Sequence, residues 1–325
     1  MTATIRIGTC SWADETLTKV WYPPGVRSGE ARIRHYAERF DTVEANSTYY
    51  RLPDAELVGN WAERTPDGFT MHVKAFGLMT RHPVKLEALP EDLRDAMPVD
   101  ERGRVDRPPR ELRAEVFRRF ARAVEPLRKR GKLGGILLQF PSYIVYKPAS
   151  LEYIEWAAAQ LPGDEILVEF RHRSWLDDEH RAQTLSFLES RGLTNVIVDA
   201  PKTEAKNLVP TVVARTSNTA YVRFHGRNAS TWNKRTGSAA ERFDYLYSEE
   251  ELEEWVEPLK ELAGESDSVY AMFNNNGRSE MPATGLEGLE PEEIAGDPSK
   301  GEVAQAPANA LMLRRALRDA GVPVS

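Results

Sequence analysis

The sequence predicts an α/β fold, a (β/α)₈ barrel of the TIM type. Two observations predict it: short runs of β-forming residues recur eight times, and most are followed by a segment with helical periodicity. The runs are Ile5–Thr9, Thr42–Ala45, Thr70–Lys74, Gly135–Phe140, Ile166–Phe170, Val196–Asp199, Ala220–His225 and Val269–Asn274. A doubly wound open sheet is the alternative. However, no Gly-x-Gly-x-x-Gly turn follows the first run, where a dinucleotide-binding fold carries one.

Amphipathic segments lie between most of these runs. The clearest covers residues 111–128, where apolar side chains recur every three or four positions. A later helix is predicted through Leu262 and begins with Ser248 and Glu251, which form a capping box. Shorter helices are predicted over Glu30–Arg39, Asp54–Arg64, Ala149–Leu161, Asp178–Ser190 and Ala308–Asp319. Residues 200–219 have no helical face, and Val209–Arg215 within them is β-like.

Two long inserts, 82–110 and 227–247, interrupt the alternation. We expect them to be lids or flaps, because long loops in compact domains are usually functional. No low-complexity linker separates the elements, so we expect one domain, 1–325. The second insert contains Trp232, Arg235, Arg242, Phe243, Tyr245 and Tyr247.

The charge balance is acidic overall, with 43 Lys and Arg against 50 Asp and Glu, and a pI near 5.6. Nucleic-acid-binding proteins usually have a more basic balance. Residues 100–132 nevertheless carry 12 basic and 6 acidic side chains, whereas 241–300 carry 4 and 17. These segments are either solvated helix faces of opposite sign, or the basic one approaches phosphates.

The chain has no apolar run near the ~20 residues that span a bilayer, and its first residues lack the order of a signal peptide. We therefore expect a cytoplasmic protein with no membrane partner. A single cysteine, Cys10, excludes an internal disulfide framework and multi-cysteine metal sites. We expect Cys10 to be a buried small residue rather than a nucleophile.

Polar residues collect at the carboxyl ends of the predicted strands, where the reactive groups of such barrels converge. Side chains alternate along a strand, so Glu169 shares a face with Arg171, and Arg223 with His225. Buried ion pairs that only fill the barrel are the alternative, but stability alone favours Val, Ile and Leu. The mouth is expected to contain Glu44, Lys74, Gln139, Glu169, Arg171, Asp199, Arg223 and His225.

Three kinds of chemistry fit this set. In the first, Glu169 or Glu44 transfers protons while Arg171, Arg223 and Lys74 bind an anionic group, and no cofactor is needed. In the second, Glu44 and Glu169 act as a glycosidase pair, which requires carboxyl groups ~5–10 Å apart.

In the third, a divalent metal ion activates water, and its ligands would be Glu169, Asp199 and His225. The spacing signal is weak, since the chain has no His-x-His or His-Glu-x-x-His pair. His72 is either a ligand or a core histidine, and we place His35, His82 and His180 on the surface or in loops.

Aromatic and amide side chains near the strand ends are candidate substrate-binding groups. Trp12 and Trp175 follow the first and fifth predicted strands and are the preferred stacking surfaces, with Trp232 as a further candidate. Asn46 and the first residue of the run Asn274–Asn276 are candidate hydrogen-bonding groups, because buried amides need several partners.

Eight ordered motifs from Ile5 to about Leu317 resemble the domain of unknown function 72 family of YecE-like TIM-barrel proteins. They are IGTCSWAD, VWYPPG, FDTVEANSTYYRLP, LLQFP, VEFRHRSW, YVRFHGRN, FDYLYSEEEL and FNNN before AQAPANA. The resemblance implies a TIM-type barrel and no particular reaction. Barrels of similar shape include sugar isomerases and endonuclease IV, which points to phosphorylated sugars or nucleic acid. The matching positions are Glu44, Asn46, Gln139, Glu169, Arg171, His172, Arg223, His225, Gly226 and Asn274.

The sequence thus predicts an enzyme, a hydrolase, isomerase or lyase, that acts on a small anionic or sugar-phosphate-like molecule. In this hypothesis Glu44 and Glu169 transfer protons, and His225 with Asn274 positions the reacting group. A metal-dependent phosphodiesterase and a non-catalytic metabolite-binding protein are the alternatives. Against the phosphodiesterase, the chain lacks the histidines and carboxylates of a three-metal nuclease site. Nucleic acid is a possible partner but not the favoured one, and the sequence indicates no oligomeric state.

Overall fold

The eight predicted strands form a closed barrel in a computed structural model that describes residues 2–232, 243–282, 289, 294 and 298–325. The barrel strands are β1 Ile5–Thr9, β2 Thr42–Ala45, β3 Thr70–Lys74, β6 Leu133–Gln139, β7 Ile166–Glu169, β8 Thr194–Asp199, β9 Thr219–Phe224 and β10 Ser268–Phe273. Their order around the barrel is β1-β10-β9-β8-β7-β6-β3-β2, so neighbouring strands are consecutive in the chain apart from two short strands inserted between β3 and β6. The prediction of a (β/α)₈ barrel is confirmed.

The strands are buried nearly throughout, and β2, β7 and β8 are buried at every position. Burial on both faces explains the continuous apolar stretches 166–168 in β7 and 196–198 in β8. The helices are α1 Gly29–Ala37, α2 Ser47–Tyr50, α3 Ala55–Arg64, α4 Glu91–Arg94, α5 Arg110–Lys129, α6 Pro148–Ala159, α7 Arg181–Glu189, α8 Ala229–Trp232, α9 Glu249–Glu253, α10 Val256–Glu265 and α11 Gln305–Asp319.

The first insert contains structure of its own. Strands β4 Val84–Lys85 and β5 Arg104–Val105 pair antiparallel, and α4 lies between them in the chain. A second antiparallel pair, β11 Arg278–Glu280 and β12 Glu302–Ala304, precedes α11. In the second insert, Arg235 and Arg242 lie outside the described residues, and the expectation that the two inserts are lids stays a prediction.

Two local predictions were wrong. The helix expected through Leu262 is divided into α9 and α10, although the predicted Ser248 capping box is present. Pro258 lies in the first turn of α10 and has no N–H to continue a hydrogen bond across the break. Val209–Arg215 is not a strand. This segment contacts β8 through a side chain instead: the Thr211 hydroxyl donates to the Val198 carbonyl at 3.0 Å.

The chain divides into two compact units. Unit 1 comprises Met1–Glu44, Thr194–Glu204 and Pro210–Ser325, and unit 2 comprises Ala45–Leu193 and Ala205–Val209. In unit 1, β10 pairs with β1 and β9, and α11 packs on β1. In unit 2, β6 pairs with β3 and β7, and α3 packs on α5. The single-domain prediction stays a prediction. Over the described ranges, no helix has the length and apolar character needed to cross a membrane.

Candidate functional site

The first candidate cluster, in unit 1, surrounds the buried carboxylate of Glu44 near the end of β2. Tyr221 and Arg223 lie two residues apart on β9, so their side chains share one face of that strand. The Arg223 guanidinium donates to Glu44 Oε1 at 2.7 Å, and the Tyr221 hydroxyl donates to Oε2 at 2.8 Å. The Glu44 and Arg223 side chains are both 0% exposed, so two opposite charges compensate each other away from water.

His225 follows β9 and extends this group. Its Nε2 lies 3.4 Å from Arg223 Nη1, and its Nδ1 lies 3.0 Å from the side-chain nitrogen of Asn274. The Phe243 ring is 5.4 Å from the imidazole, and Trp232 packs edge-on against Phe243 at 5.9 Å. Trp232 is buried, so it contributes a wall behind Phe243 rather than an exposed stacking surface. The Glu44 cluster is defined as Cys10, Glu44, Tyr221, Arg223, His225 and Asn274.

The Cys10 thiol, buried as expected, lies beside the ion pair. Burial raises the pKa of the thiol and the Glu44 charge raises it further, although Arg223 acts in the opposite direction. Burial and the Glu44 charge also raise the pKa of the Tyr221 hydroxyl. Both groups are therefore neutral near pH 7, and a neutral thiol is a poor nucleophile.

Asp199, at the end of β8, holds neighbouring segments of unit 1 together. Its carboxylate accepts hydrogen bonds from Tyr247 Oη at 2.7 Å, Trp255 Nε1 at 2.9 Å and Arg227 Nη2 at 2.8 Å. The Gly226 N–H donates in turn to Tyr247 Oη at 2.9 Å. Because three side chains donate to this carboxylate and Gly226 is linked to it through Tyr247, its observed role is to fix the segments after β9.

The second candidate cluster, in unit 2, surrounds the buried carboxylate of Glu169. Gln139 and Glu169 are register partners on β6 and β7, and the Gln139 amide donates to Glu169 Oε1 at 2.7 Å. Arg171 lies two residues beyond Glu169, and its Nη1 is 3.6 Å from the same oxygen, too far for a hydrogen bond. The Arg171 side chain is 17% exposed, whereas that of Glu169 is 0% exposed. The carboxylate is therefore buried beside a cation that reaches solvent.

Two further side chains complete the Glu169 cluster, which we define as Lys74, His82, Gln139, Glu169 and Arg171. The Lys74 ammonium lies 4.6 Å from the centre of the Tyr49 ring, and that ring meets the His82 imidazole edge-on at 5.1 Å. Burial, and then the charges of Lys74 and Arg171, lower the pKa of His82 to about 3. The imidazole is consequently neutral at pH 7, and both cations lie close enough to act on it.

The remaining predicted residues lie at separate places. Trp12 is buried in unit 1, and its carbonyl accepts a hydrogen bond from Tyr22. Asn46, in unit 2, occupies the N-cap position of α2, and its side chain makes no capping bond. Trp175 is wrong as a stacking surface, because it is 0% exposed and stacked on Phe170 at 4.2 Å. Within the described ranges, no group of three or more His, Cys, Asp or Glu side chains is placed to hold a metal ion.

His72 is fully buried on β3, against Gly134 of β6. A Cβ atom at position 134 would lie 2.6 Å from His72 Nε2 and 2.4 Å from Thr70 Cγ2. Gly134 therefore makes room for the imidazole, which packs as a core residue.

Comparison with known proteins now identifies the family. The family described as protein of unknown function DUF72 matches residues 6–289. The chain belongs to the DUF72 family. Among its relatives is the UPF0759 protein YunF of Bacillus subtilis, which is 31% identical over 290 residues that cover 88% of this chain and 94% of YunF. The UPF0759 protein YecE of Escherichia coli is 27% identical over 246 residues, covering 71% and 77%.

Solved DUF72 structures share the fold. One from Thermotoga maritima is 29% identical, has a TM-score of 0.70, and covers 97% of this chain and 99% of that chain. One from Enterococcus faecalis has a TM-score of 0.73 at 23% identity, covering 97% and 96%. The resemblance deduced from the sequence motifs is therefore confirmed, and so is its implied barrel.

The sequence did not indicate the roles of several residues in and around the two clusters. Tyr221 could have been found, because it has the same parity as Arg223 on one strand. His82 lies in a loop before β4, as expected, but no local pattern in the sequence indicates that it joins the Glu169 cluster. Within the asparagine run, Asn275 is structural: its amide donates to Asn309 Oδ1 at 2.8 Å, so only Asn274 joins the Glu44 cluster.

Proposed function

We propose that this protein is an enzyme that uses carboxylate acid–base chemistry on a small anionic substrate such as a sugar phosphate, with Glu169 as the proton-transfer group. The observation that carries the proposal is the difference between its two Glu–Arg pairs. The Glu44–Arg223 pair is closed at 2.7 Å and fully buried. The Glu169–Arg171 pair is open at 3.6 Å, and its guanidinium is partly exposed.

The Glu169–Arg171 pair suits catalysis because a partly exposed guanidinium lies beside a fully buried carboxylate. A carboxylate side chain placed beside a substrate can act as a general acid or base. Because 17% of the Arg171 side chain is exposed, its guanidinium can donate to a phosphate or carboxylate group of a substrate. In the closed pair, by contrast, both Glu44 oxygens already accept hydrogen bonds, so Glu44 is better suited to positioning Arg223.

Anion binding is supported by the groups around Glu169. The charges of Lys74 and Arg171 both lower the pKa of His82, so two positive charges lie close to the same partly buried imidazole. An arginine fork and a lysine ammonium together suit a phosphate or carboxylate group. The substrate's anionic group would lie on Lys74 and Arg171, and the carbon that loses its proton would face Glu169. The proposed roles of Glu44, His225 and Asn274 in this chemistry stay predictions.

The test combines binding and proton exchange. Glucose 6-phosphate, ribose 5-phosphate and dihydroxyacetone phosphate are titrated by calorimetry, and each is incubated with the protein in D₂O under NMR observation. Proton abstraction would appear as deuterium incorporated beside the carbonyl, or as a new product. Glu169→Gln should slow this step by about 100-fold or more, while binding is retained.

Stability separates a catalytic role from a structural one. Glutamine at position 169 can still accept the hydrogen bond from Gln139, so the free energy of unfolding should change by about 1 kcal/mol at most. Arg171→Gln should weaken binding, whereas Arg181→Gln removes the same charge from an exposed position on α7 and should not. Binding without exchange or product for all three compounds would contradict the enzyme and favour a metabolite-binding protein.

A further inference from the structure

A second group of basic side chains lies in unit 2, on the turn after β3 and around the start of α5. We define the arginine cluster as Arg81, Arg107, Arg110 and Arg113. The Arg81 guanidinium lies 3.9 Å from the centre of the Tyr153 ring. That of Arg113 lies 5.3 Å from the same ring and 5.5 Å from the ring of Trp156, and that of Arg110 lies 4.9 Å from Trp156. The arginines therefore share a platform of two aromatic rings, whose centres are 5.5 Å apart.

These guanidinium groups lack compensating carboxylates. Among the residues that the structure describes, no Asp or Glu forms an ion pair with Arg81, Arg110 or Arg113, and Arg107 has only Asp106 at 3.8 Å. Buried nitrogens of Arg81 (Nε) and Arg113 (Nε and Nη1) have no hydrogen-bond partner. A buried donor without a partner costs free energy, and adjacent like charges add to that cost.

Other arginines of the basic segment 100–132 are paired differently. Arg119 is held by Asp92 at 2.6 Å and by Glu115 at 2.8 Å, and Arg128 is held by Asp164 at 2.8 Å. Folding therefore neutralises much of the later part of this segment. The positive charge that the sequence shows is concentrated at the start of α5, together with Arg81 from another part of the chain.

The backbone at two of these positions is strained. Within the described residues, Arg81 (φ 63°) and Arg107 (φ 48°) are the two residues other than glycine that adopt a left-handed conformation. Glycine would adopt it at lower cost, so the surrounding structure holds Arg81 and Arg107 in place against a backbone strain. The Tyr143 hydroxyl supports the Arg81 turn by donating to its carbonyl at 2.6 Å.

We infer that the arginine cluster is a second anion-binding site, one that takes a phosphate group. Planar guanidinium forks match phosphate oxygens, and stacking on Tyr153 and Trp156 fixes the planes of those forks in advance. A phosphate would accept hydrogen bonds from the exposed guanidinium groups of Arg107 and Arg110 and would offset the repulsion within the cluster. The phosphate can belong to a small molecule or to a nucleic-acid strand, and the site does not depend on the function proposed for Glu169.

The experiment uses pyrophosphate as a small probe and a short oligodeoxythymidine as a polymeric one. Pyrophosphate is titrated by calorimetry at low ionic strength into the wild type, Arg110→Gln and Arg113→Gln, and the oligonucleotide is followed by fluorescence anisotropy. Each substitution should weaken binding of the accepted probe about tenfold or more. Arg110 is exposed, so its variant tests the site without loss of folding.

Two controls make the result specific. Arg118→Gln removes the same charge from the same helix, at a side chain 68% exposed and paired with Glu115, and should bind as the wild type does. Arg171→Gln alters the Glu169 cluster and should leave this site intact. Binding of pyrophosphate, or of the oligonucleotide alone, supports the site and identifies the source of the phosphate. If neither probe binds, or if Arg110→Gln and Arg118→Gln weaken binding equally, the inference is wrong.

Discussion

Replacing Arg223 with methionine should destabilise the protein by about 3–5 kcal/mol, the usual cost of removing one partner from a buried ion pair. Arg223 and Glu44 are both 0% exposed; Arg223 donates to one Glu44 oxygen at 2.7 Å, and the Tyr221 hydroxyl donates to the other at 2.8 Å. Methionine fills similar space, but the Glu44 carboxylate then keeps the hydrogen bond from the Tyr221 hydroxyl and loses the one from the Arg223 cation. The surrounding Cys10 thiol is neutral and offers no charge in exchange.

The assay is urea unfolding at pH 7, followed by circular dichroism, for the two single variants and the double variant. Glu44→Leu should also be strongly destabilising, because it leaves a buried guanidinium opposite an apolar side chain. The double variant Glu44→Leu with Arg223→Met removes both charges and leaves the Tyr221 hydroxyl without its acceptor, which costs about 1–3 kcal/mol. Its loss should therefore be several kcal/mol smaller than the sum of the single losses.

An exposed pair provides the matched comparison. Arg34 and Glu30 form an ion pair at 3.1 Å on α1, with side chains 54% and 47% exposed. Arg34→Met should cost about 0.5 kcal/mol or less, since exposed pairs contribute little. Additive losses in the double variant, or a loss at Arg223 as small as that at Arg34, would refute the assignment of the Glu44 pair as a closed structural pair.

Two further predictions concern unit 2, one on β6 and one in the Glu169 cluster. Gly134→Ala should lower the free energy of unfolding by about 1–3 kcal/mol, because the new methyl group would overlap His72. The control Gly264→Ala has open space on α10 and should raise the free energy of unfolding by about 0.5–1 kcal/mol. Thermal and urea unfolding measure both variants, and equal effects would contradict the packing described for β6. His82 has a pKa of about 3 when folded against 6.5 when unfolded, so the unfolded chain binds its proton first and stability is lost as the pH falls from 6.5 toward 3. His82→Gln should therefore lose about 3 kcal/mol less than the wild type between pH 7 and pH 4 in urea unfolding, and identical losses would show that the imidazole is not shielded.

Local patterns accounted for the barrel and for part of the candidate site. Each strand was visible because its residues are β-forming over a short stretch, and the Ser248 capping box involves residues three positions apart. Because side chains alternate along a strand, Arg223 and His225 were expected on one face, as observed, and Tyr221 lies on the same face. Information of this kind is carried by residues that are close in the chain.

The sequence alone therefore determined the alternation of strands and helices, the family, and the set of polar residues at the strand ends. Tertiary structure decided how those residues are paired: Arg223 meets Glu44 across 179 positions of the chain, and Trp255 meets Asp199 across 56. It brought Arg223 to 2.7 Å from Glu44 and left Arg171 at 3.6 Å from Glu169. It also brought His82 beside Lys74 and Arg171. The physical reason is that the charge state and the role of a buried group depend on its partners and on its exclusion from water, and both arise only when distant segments pack together.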